Sequence, residues 1–358
     1  MRENLEDIVD GIAEVADTTA LWELVDRRMA AGDSAFVAEL GVRLWRRYSS
    51  GGLSAPWQYR SLFDRILRVL TLSAGAVGDA VRLLWAVQGG RPVRFGAALL
   101  ASGHPVGELR AALATTSPPE LRACLLHELV LRGAAVDVEW GGEPWWGGHP
   151  LAWLPVSLTP LEGRPEVNRY SLGGGGGGRP AERTVAIGGV GEAAAAEETT
   201  TEQLAAVIGG AVQNWANESN GHIFSRVYSL SSALRPGAVL ATLRGLELEC
   251  LRGLDGVGAG TAENVWAQLF VAASSGGAYN AGEFGAYGRL AAWRSVAALA
   301  GAPPAASAAE VEEAVRACAW YGFAGASEWF QRVAWDIGIA AVTADGRRLA
   351  LLAATDTD

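Results

Sequence analysis

The first part of the chain shows a helical pattern of apolar and polar positions. Up to Ala135, apolar residues return every three or four positions between Gly, Pro and Ser residues, which predicts consecutive amphipathic helices. Three of the apolar stripes are Leu21, Trp22, Val25 and Met29; Phe36, Val37, Leu40, Leu44 and Trp45, after a candidate cap at Asp33; and Tyr59, Leu62, Phe63, Ile66, Leu67 and Leu70. Helices this short must stack to bury their apolar faces. We therefore expect residues 1–135 to form an all-helical domain, an irregular stack that is either a bundle or solenoid-like.

The pattern changes abruptly after Ala135. A short alternating segment from Val136 to Trp140 leads into a stretch that contains too much Gly and Pro for regular structure. Six consecutive glycines then occupy residues 173–178, and glycine runs behave as flexible linkers. Residues 136–180 are therefore predicted to be a Trp-, Gly- and Pro-rich connector with a flexible six-glycine loop.

Residues 181–358 mix helical and strand patterns. Thr200 and Gln203 resemble a capping box, His222–Leu230 has strand character, and several amphipathic helices follow. At the end of the chain, two apolar runs flank an Asp-Gly turn at residues 345–346, which predicts a β-hairpin. The predicted fold class is α+β and predominantly helical: a helical stack followed by an α+β domain that ends in a β-hairpin.

The net charge and hydrophobicity narrow the range of partners. The chain has 29 basic and 39 acidic side chains and a net charge of −10 at neutral pH. Because nucleic-acid affinity comes largely from basic groups that neutralise phosphates, this sign disfavours a nucleic-acid partner. Hydrophobic residues make up 50% of the chain, but no apolar run reaches the roughly 20 residues that a membrane-spanning helix needs. We expect a folded, soluble protein with no nucleic-acid or membrane partner.

All basic residues are arginine, and the chain contains no lysine. P-loop NTPases, protein kinases, pyridoxal-phosphate enzymes and Schiff-base enzymes need a lysine amine, so these classes are excluded. The use of Arg for Lys, together with 46 Gly and abundant Ala, indicates the codon bias of a GC-rich, actinobacterial genome.

The cysteines do not indicate a bound metal, and the N-terminal residues do not indicate export. Cys124, Cys250 and Cys318 are far apart and form no CxxC motif, which argues against a disulfide framework and against a zinc site. The first ten residues are acidic and lack the basic start and apolar core of a signal peptide. We expect a cytoplasmic protein without a cofactor.

Two C-terminal segments carry a resemblance to known sequences. They are Gly276-Gly-Ala-Tyr-Asn-Ala-Gly-Glu-Phe-Gly-Ala-Tyr-Gly-Arg-Leu-Ala-Ala-Trp293, and Val333-Ala-Trp-Asp-Ile-Gly through Leu351-Leu-Ala-Ala-Thr-Asp-Thr-Asp358. In these segments the chain resembles a Streptomyces-type family of uncharacterised actinobacterial proteins of unknown function. The resemblance implies an actinobacterial, cytoplasmic protein, and it transfers no catalytic residue.

Aromatic residues provide two candidate ligand sites. In the connector, Trp140, Trp145, Trp146 and Trp153 could form a ledge for a sugar, a Pro-rich peptide or a partner chain. The alternative is that these tryptophans anchor the connector by packing. In the second site, the Gly-rich segment 276–288 could bind an anion, with the guanidinium of Arg289 as a bidentate hydrogen-bond donor, beside Tyr279 and Tyr287. The glycines do not reproduce GxGxxG, and the alternative is that they permit close packing around the rings.

The C-terminal hairpin offers a candidate metal site. A three-residue turn brings Asp336 opposite Ala354, and a two-residue turn brings it opposite Thr355, so either register places Asp336 near Asp356. Together with Asp358, these carboxylates could hold Mg²⁺ or Ca²⁺. The alternative is a solvated chain end without a metal.

Two function classes follow from these patterns. The helical stack and the missing catalytic motifs favour a non-catalytic protein that binds another protein or regulates it. The alternative is a small-molecule-binding protein or an enzyme with a pocket in residues 181–358.

Overall fold

The computed structural model describes residues 4–113, 118–136, 146–189, 191–280, 282–324, 329–330 and 335–357. The chain folds into two compact units. The helical unit comprises Met1–His149 and Arg169–Gly176, and the sheet unit comprises Pro150–Asn168 and Gly177–Asp358. The predicted connector, residues 136–180, is therefore divided between the two units.

The helical unit is built from short helices that begin at local sequence signals. The helices are α1 (Leu5–Gly11), α2 (Thr19–Ala30), α3 (Ser34–Tyr48), α4 (Trp57–Leu72), α5 (Val77–Val87), α6 (Arg91–Gly103), α7 (Val106–Leu113) and α8 (Pro119–Leu131). As predicted, the Asp33 carboxylate caps α3 and accepts a hydrogen bond of 3.3 Å from Phe36 N–H. Prolines occupy the first turns of α6 and α8, where a missing N–H costs least.

Helix α4 carries much of the core of this unit, because it packs against α2, α3, α5 and α6. Its fully or nearly fully buried apolar side chains include Leu62, Ile66, Leu67 and Leu70. Burying one such side chain contributes about 1.5–3 kcal/mol. Residues 169–176 complete the unit as a hairpin of β1 (Arg169–Ser171) and β2 (Gly174–Gly176).

The sheet unit has an antiparallel seven-stranded sheet in the order β3-β6-β7-β8-β9-β5-β4. Its strands are β3 (Val185–Ala186), β4 (Ala196–Glu198), β5 (His222–Leu230), β6 (Gly258–Gly260), β7 (Ala319–Gly322), β8 (Trp335–Val342) and β9 (Arg348–Asp356). Its helices are α9 (Glu202–Gly209), α10 (Gln213–Glu218), α11 (Val239–Gly245), α12 (Ala262–Ser275), α13 (Phe284–Ala300) and α14 (Ala308–Ala317).

Helices cover both faces of this sheet. Helices α9, α12 and α13 contact the strands on one face. On the other face, Val239 and Leu243 of α11 join a core with alternate residues of the strands, among them Tyr321, Ala340 and Leu351. The fold class is α+β and predominantly helical, as the sequence pattern predicts. Among the described residues, no helix combines the length and apolarity needed to span a bilayer.

The predicted C-terminal hairpin is present as β8 and β9. Gly346 in its turn has φ +69°, a conformation that glycine adopts without strain. Asp336 pairs with Thr355, which is the register of the two-residue turn.

Candidate functional site

One face of α4 carries an exposed aromatic strip. Trp57, Ser61, Arg65 and Arg68 follow one another at helical spacings of four, four and three residues, so they share a face. Trp57 is 50% exposed, and Trp22 of α2, which lies beside this face, is 40% exposed. We call Trp22, Trp57, Ser61 and Arg65 the tryptophan strip.

Polar contacts fix the two helices that form the strip. The Thr18 and Ser61 hydroxyls lie 3.0 Å apart, and one turn farther along, the Arg65 guanidinium lies 5.9 Å from the Trp22 ring centroid. Asp26 accepts from Arg65 Nη2 at 2.6 and 2.7 Å, which holds the guanidinium in place. Trp57 precedes Arg65 by eight residues, so the strip extends over about 12 Å of helix.

The glycine-containing hairpin β1–β2 continues the surface beyond Arg65. Arg65 Nη1 donates to Leu172 O at 2.7 Å, and Arg68 Nη1 donates to Ser171 O at 3.4 Å. The Tyr170 ring meets Phe95 edge-on at 5.8 Å and lies close to Gly175, where a side chain would collide with it. Three glycines of the predicted flexible loop thus form a paired strand in the structure, with exposed Leu172 in the turn.

The four connector tryptophans do not gather into a described ledge. Trp140 and Trp145 lie outside the described residues. Trp146 belongs to the helical unit, where its ring stacks with the rings of His127 and His149 at centroid distances of 5.9 and 6.0 Å. His149 Nε2 also lies 2.9 Å from Glu120 Oε2.

Trp153 belongs to the sheet unit and anchors its segment by packing. Its ring meets Trp293 edge-on at 5.9 Å, and its Nε1 donates to Ala306 O at 3.1 Å. A ledge that is formed by all four tryptophans therefore stays a prediction.

The Gly-rich segment before α13 forms a loop organised by Asn280. Asn280 Oδ1 accepts from Gly277 N at 3.0 Å and from Gly282 N at 3.2 Å, while its Nδ2 donates to Asn214 O at 2.7 Å. Tyr279, at 63% exposure, projects from this loop, and Tyr287 is partly buried on α13. The loop thus rests on protein contacts at its base and exposes one aromatic ring.

Arg289 is fully buried and bound by protein groups. Its Nε and Nη2 donate to the two oxygens of Glu162 at 2.5 and 2.8 Å, and its Nη groups also donate to Pro155 O and Ser157 O. Trp293 Nε1 adds a further donor to Glu162 Oε1 at 2.9 Å. The Arg289 guanidinium therefore has a structural role, because these hydrogen bonds hold residues 155–162 against α13. Binding of an external anion by Arg289 stays a prediction.

The candidate metal acids lie on opposite faces of the sheet. Asp336 pairs with Thr355 and accepts from its hydroxyl at 2.7 Å, whereas Asp356 pairs with Trp335 on the other face. Asp356 is fully buried and accepts from Ser219 Oγ at 2.8 Å and from Ala278 N at 2.7 Å. The expected gathering of Asp336 and Asp356 is therefore wrong, because adjacent register positions point to opposite faces. Asp358 lies outside the described residues, among which no group of three or more His, Cys, Asp or Glu is placed to hold a metal.

Two of the cysteines, Cys124 and Cys250, are buried, and Cys318 is partly buried. Burial raises the pKa of Cys318 to about 11 and of Cys250 to about 12, and burial together with Glu120 raises the pKa of Cys124 well above its usual value. None of the three is therefore poised as a thiolate nucleophile.

The sequence pattern does not reveal the tryptophan strip, because it puts Trp22 in an apolar stripe. The structure buries Leu24 and Val25 and leaves Trp22 exposed. A usable signal was present in α4, because Trp57 falls on the helix face that otherwise carries Ser61, Arg65 and Arg68. A large aromatic residue on a polar helix face is an exposed one if the helix forms.

Comparison with known proteins identifies a family. Residues 19–358 match the family of unknown function DUF6183, and the chain belongs to that family. Comparison with curated proteins and with solved structures gives no match.

Proposed function

We propose that this DUF6183 member is a non-catalytic protein-interaction protein whose tryptophan strip binds another protein. The observation that carries the proposal is the exposure of Trp22 and Trp57 on one face of packed helices. Exposed aromatic surface of this kind is costly in water and is enriched at protein interfaces.

The surroundings of the two rings support this proposal. Arg65 is held between Trp22, Asp26 and the Leu172 carbonyl, so the surface is ordered before any partner binds. A preordered surface loses less conformational entropy on binding. Tryptophan and arginine are also the residue types that most often dominate the free energy of binding.

The test is quantitative affinity purification from the native host with three baits: wild type, W22A/W57A and W85A. Trp85 of α5 is a matched control, because it is also on a helix of this unit and is 44% exposed. If each strip tryptophan contributes about 2 kcal/mol to binding, the double variant loses its partner almost completely, while W85A retains it.

Two outcomes would contradict the proposal. One is a stoichiometric partner that all three baits recover equally, and the other is a wild-type bait that recovers no protein partner. Thermal melting of each variant provides the control for folding.

We also infer an actinobacterial, cytoplasmic origin. The support is compositional: every basic residue is Arg, and three cysteines that are far apart in sequence and form no CxxC motif fit a reducing compartment.

A further inference from the structure

At one edge of the seven-stranded sheet, the terminal strand exposes apolar side chains. Strand β3 is the terminal strand and pairs on one side with β6. Val185 in this strand is 74% exposed, which is the highest exposed fraction among the large apolar side chains of the described residues. Residues 181–186 are all exposed.

The backbone of β3 presents hydrogen-bonding groups to solvent. Val185 pairs with Ala259, and Ile187 N donates to Val257 O at 3.1 Å. The backbone N–H and C=O groups of Val185 and Ile187 therefore face β6. In an antiparallel ladder, alternate residues point their N–H and C=O groups to opposite sides. Thr184 and Ala186 therefore direct their backbone groups away from the sheet.

The other edge of the same sheet is protected by charge. Strand β4 carries Glu197 and Glu198, both exposed, and Glu198 forms an ion pair of 3.1 Å with Arg226. Charged side chains on an edge strand discourage the addition of another strand. The two residues of β3, Val185 and Ala186, carry no such charge.

The side chain of Val185 continues an apolar row across the sheet. Its register partners are Ala259 on β6, then Tyr321 on β7 and Ala340 on β8, and the last two are buried in the core beneath α11. A further strand beside β3 would extend this row and cover Val185. It would also pair the outward backbone groups of Thr184 and Ala186.

We propose that β3 is a docking edge at which an extended segment of a partner protein adds an eighth strand to the sheet. This is β-augmentation, in which backbone hydrogen bonds supply affinity and alternate side chains supply specificity. The proposal is independent of the tryptophan strip, which lies in the other unit.

The side chains near β3 specify the chemistry of the partner segment. An apolar residue is required opposite Val185. Arg183, two residues earlier, is exposed and forms no ion pair with any described residue. The neighbouring Glu182 carboxylate forms no ion pair with Arg183 among the described contacts and instead accepts from Ala324 N at 3.1 Å. The partner segment therefore carries an acidic residue near its apolar one.

The test uses a phage-displayed library of random peptides selected on the immobilised full-length protein. Enriched peptides are synthesised and titrated by fluorescence polarisation against wild type, A186P, V185K and A196P. Ala186→Pro removes an outward N–H, and Ala196→Pro is the matched control, because Ala196 occupies the outward-facing position of β4 on the opposite edge.

We expect enriched peptides to combine an apolar and an acidic residue, and to bind wild type and A196P equally. Binding to A186P and to V185K should be weaker by at least about tenfold. If A186P fails to fold by circular dichroism, V185K carries the comparison, because a solvent-facing lysine leaves the ladder intact. The proposal is overturned if no peptide is enriched, if the peptides bind V185K as tightly as wild type, or if W22A/W57A abolishes their binding.

Discussion

At the scale of single residues, the buried pair of Glu162 and Arg289 has the largest expected effect on stability. Both side chains are fully excluded from solvent, and the pair joins residues 155–162 to α13. Two charges buried together are tolerated because they compensate each other and their remaining hydrogen-bonding atoms have partners. Removal of one charge leaves the other unpaired in a medium of low dielectric constant.

We therefore expect Arg289→Met to lower the free energy of unfolding by about 3–5 kcal/mol, measured by urea denaturation. The control is the double variant E162Q/R289M, in which no buried charge is left alone and the amide introduced at position 162 still offers an oxygen to Trp293 Nε1. The double variant should be more stable than Arg289→Met. A double variant no more stable than the single one would show that the ion pair is not what stabilises this contact.

At the scale of elements, the loop before α13 leaves no room for a side chain at Gly277. A Cβ added at Gly277 would collide with Asp356 Oδ2 and come within 3.1 Å of the Trp215 ring. Asp356 is at the end of β9 and Trp215 is on α10, so the loop, a strand end and a helix meet at this glycine.

Gly277→Ala should therefore destabilise the protein by about 1–3 kcal/mol, the usual cost of overpacking, as measured by chemical denaturation. Gly256→Ala is the matched control, because an added Cβ there meets nothing within 4 Å and the change should be nearly neutral. Equal effects of the two substitutions would refute the close packing at Gly277.

Some elements could be predicted from the sequence because their signals are local. The Asp33 cap, the helix stripe of α4 and the Asp-Gly turn of the C-terminal hairpin each depend on residues within a few positions of one another. The hairpin of residues 169–176 was not predicted, because a glycine run has no strand pattern. Its contacts with the helices come from Arg65, Arg68 and Phe95, which are 75 to 107 residues away in the chain.

The same limit applies to the candidate sites. The sequence leaves open whether Arg289 binds an anion or its segment only permits close packing, because its partner, Glu162, is distant in sequence and no local pattern links the two residues. The pairing register predicts that Asp336 and Asp356 lie near each other along the two strands. It does not place their side chains on one face, because positions one residue apart point to opposite faces of the sheet.

At the scale of the whole molecule, the three cysteines should be unreactive in the native protein. The pKa of Cys318 is raised to about 11, so at about pH 8 only about one Cys318 thiol in a thousand is ionised, and burial also raises the pKa of Cys124 and Cys250. A thiol reagent such as Ellman's reagent should react slowly with the folded chain. In concentrated guanidinium chloride, all three should react promptly. Rapid stoichiometric labelling of the native protein would contradict the raised pKa values of these thiols.

The path of the chain between the two units has a consequence for any attempt to separate them. The chain leaves the helical unit after His149, returns to it for Arg169–Gly176 and then leaves again. Neither unit is therefore encoded by one continuous stretch of sequence. A truncation after residue 149 removes the hairpin that Arg65 and Arg68 bind, and a fragment that starts at residue 177 lacks Glu162, the partner of Arg289. A gene cut at any single point yields at least one incomplete product.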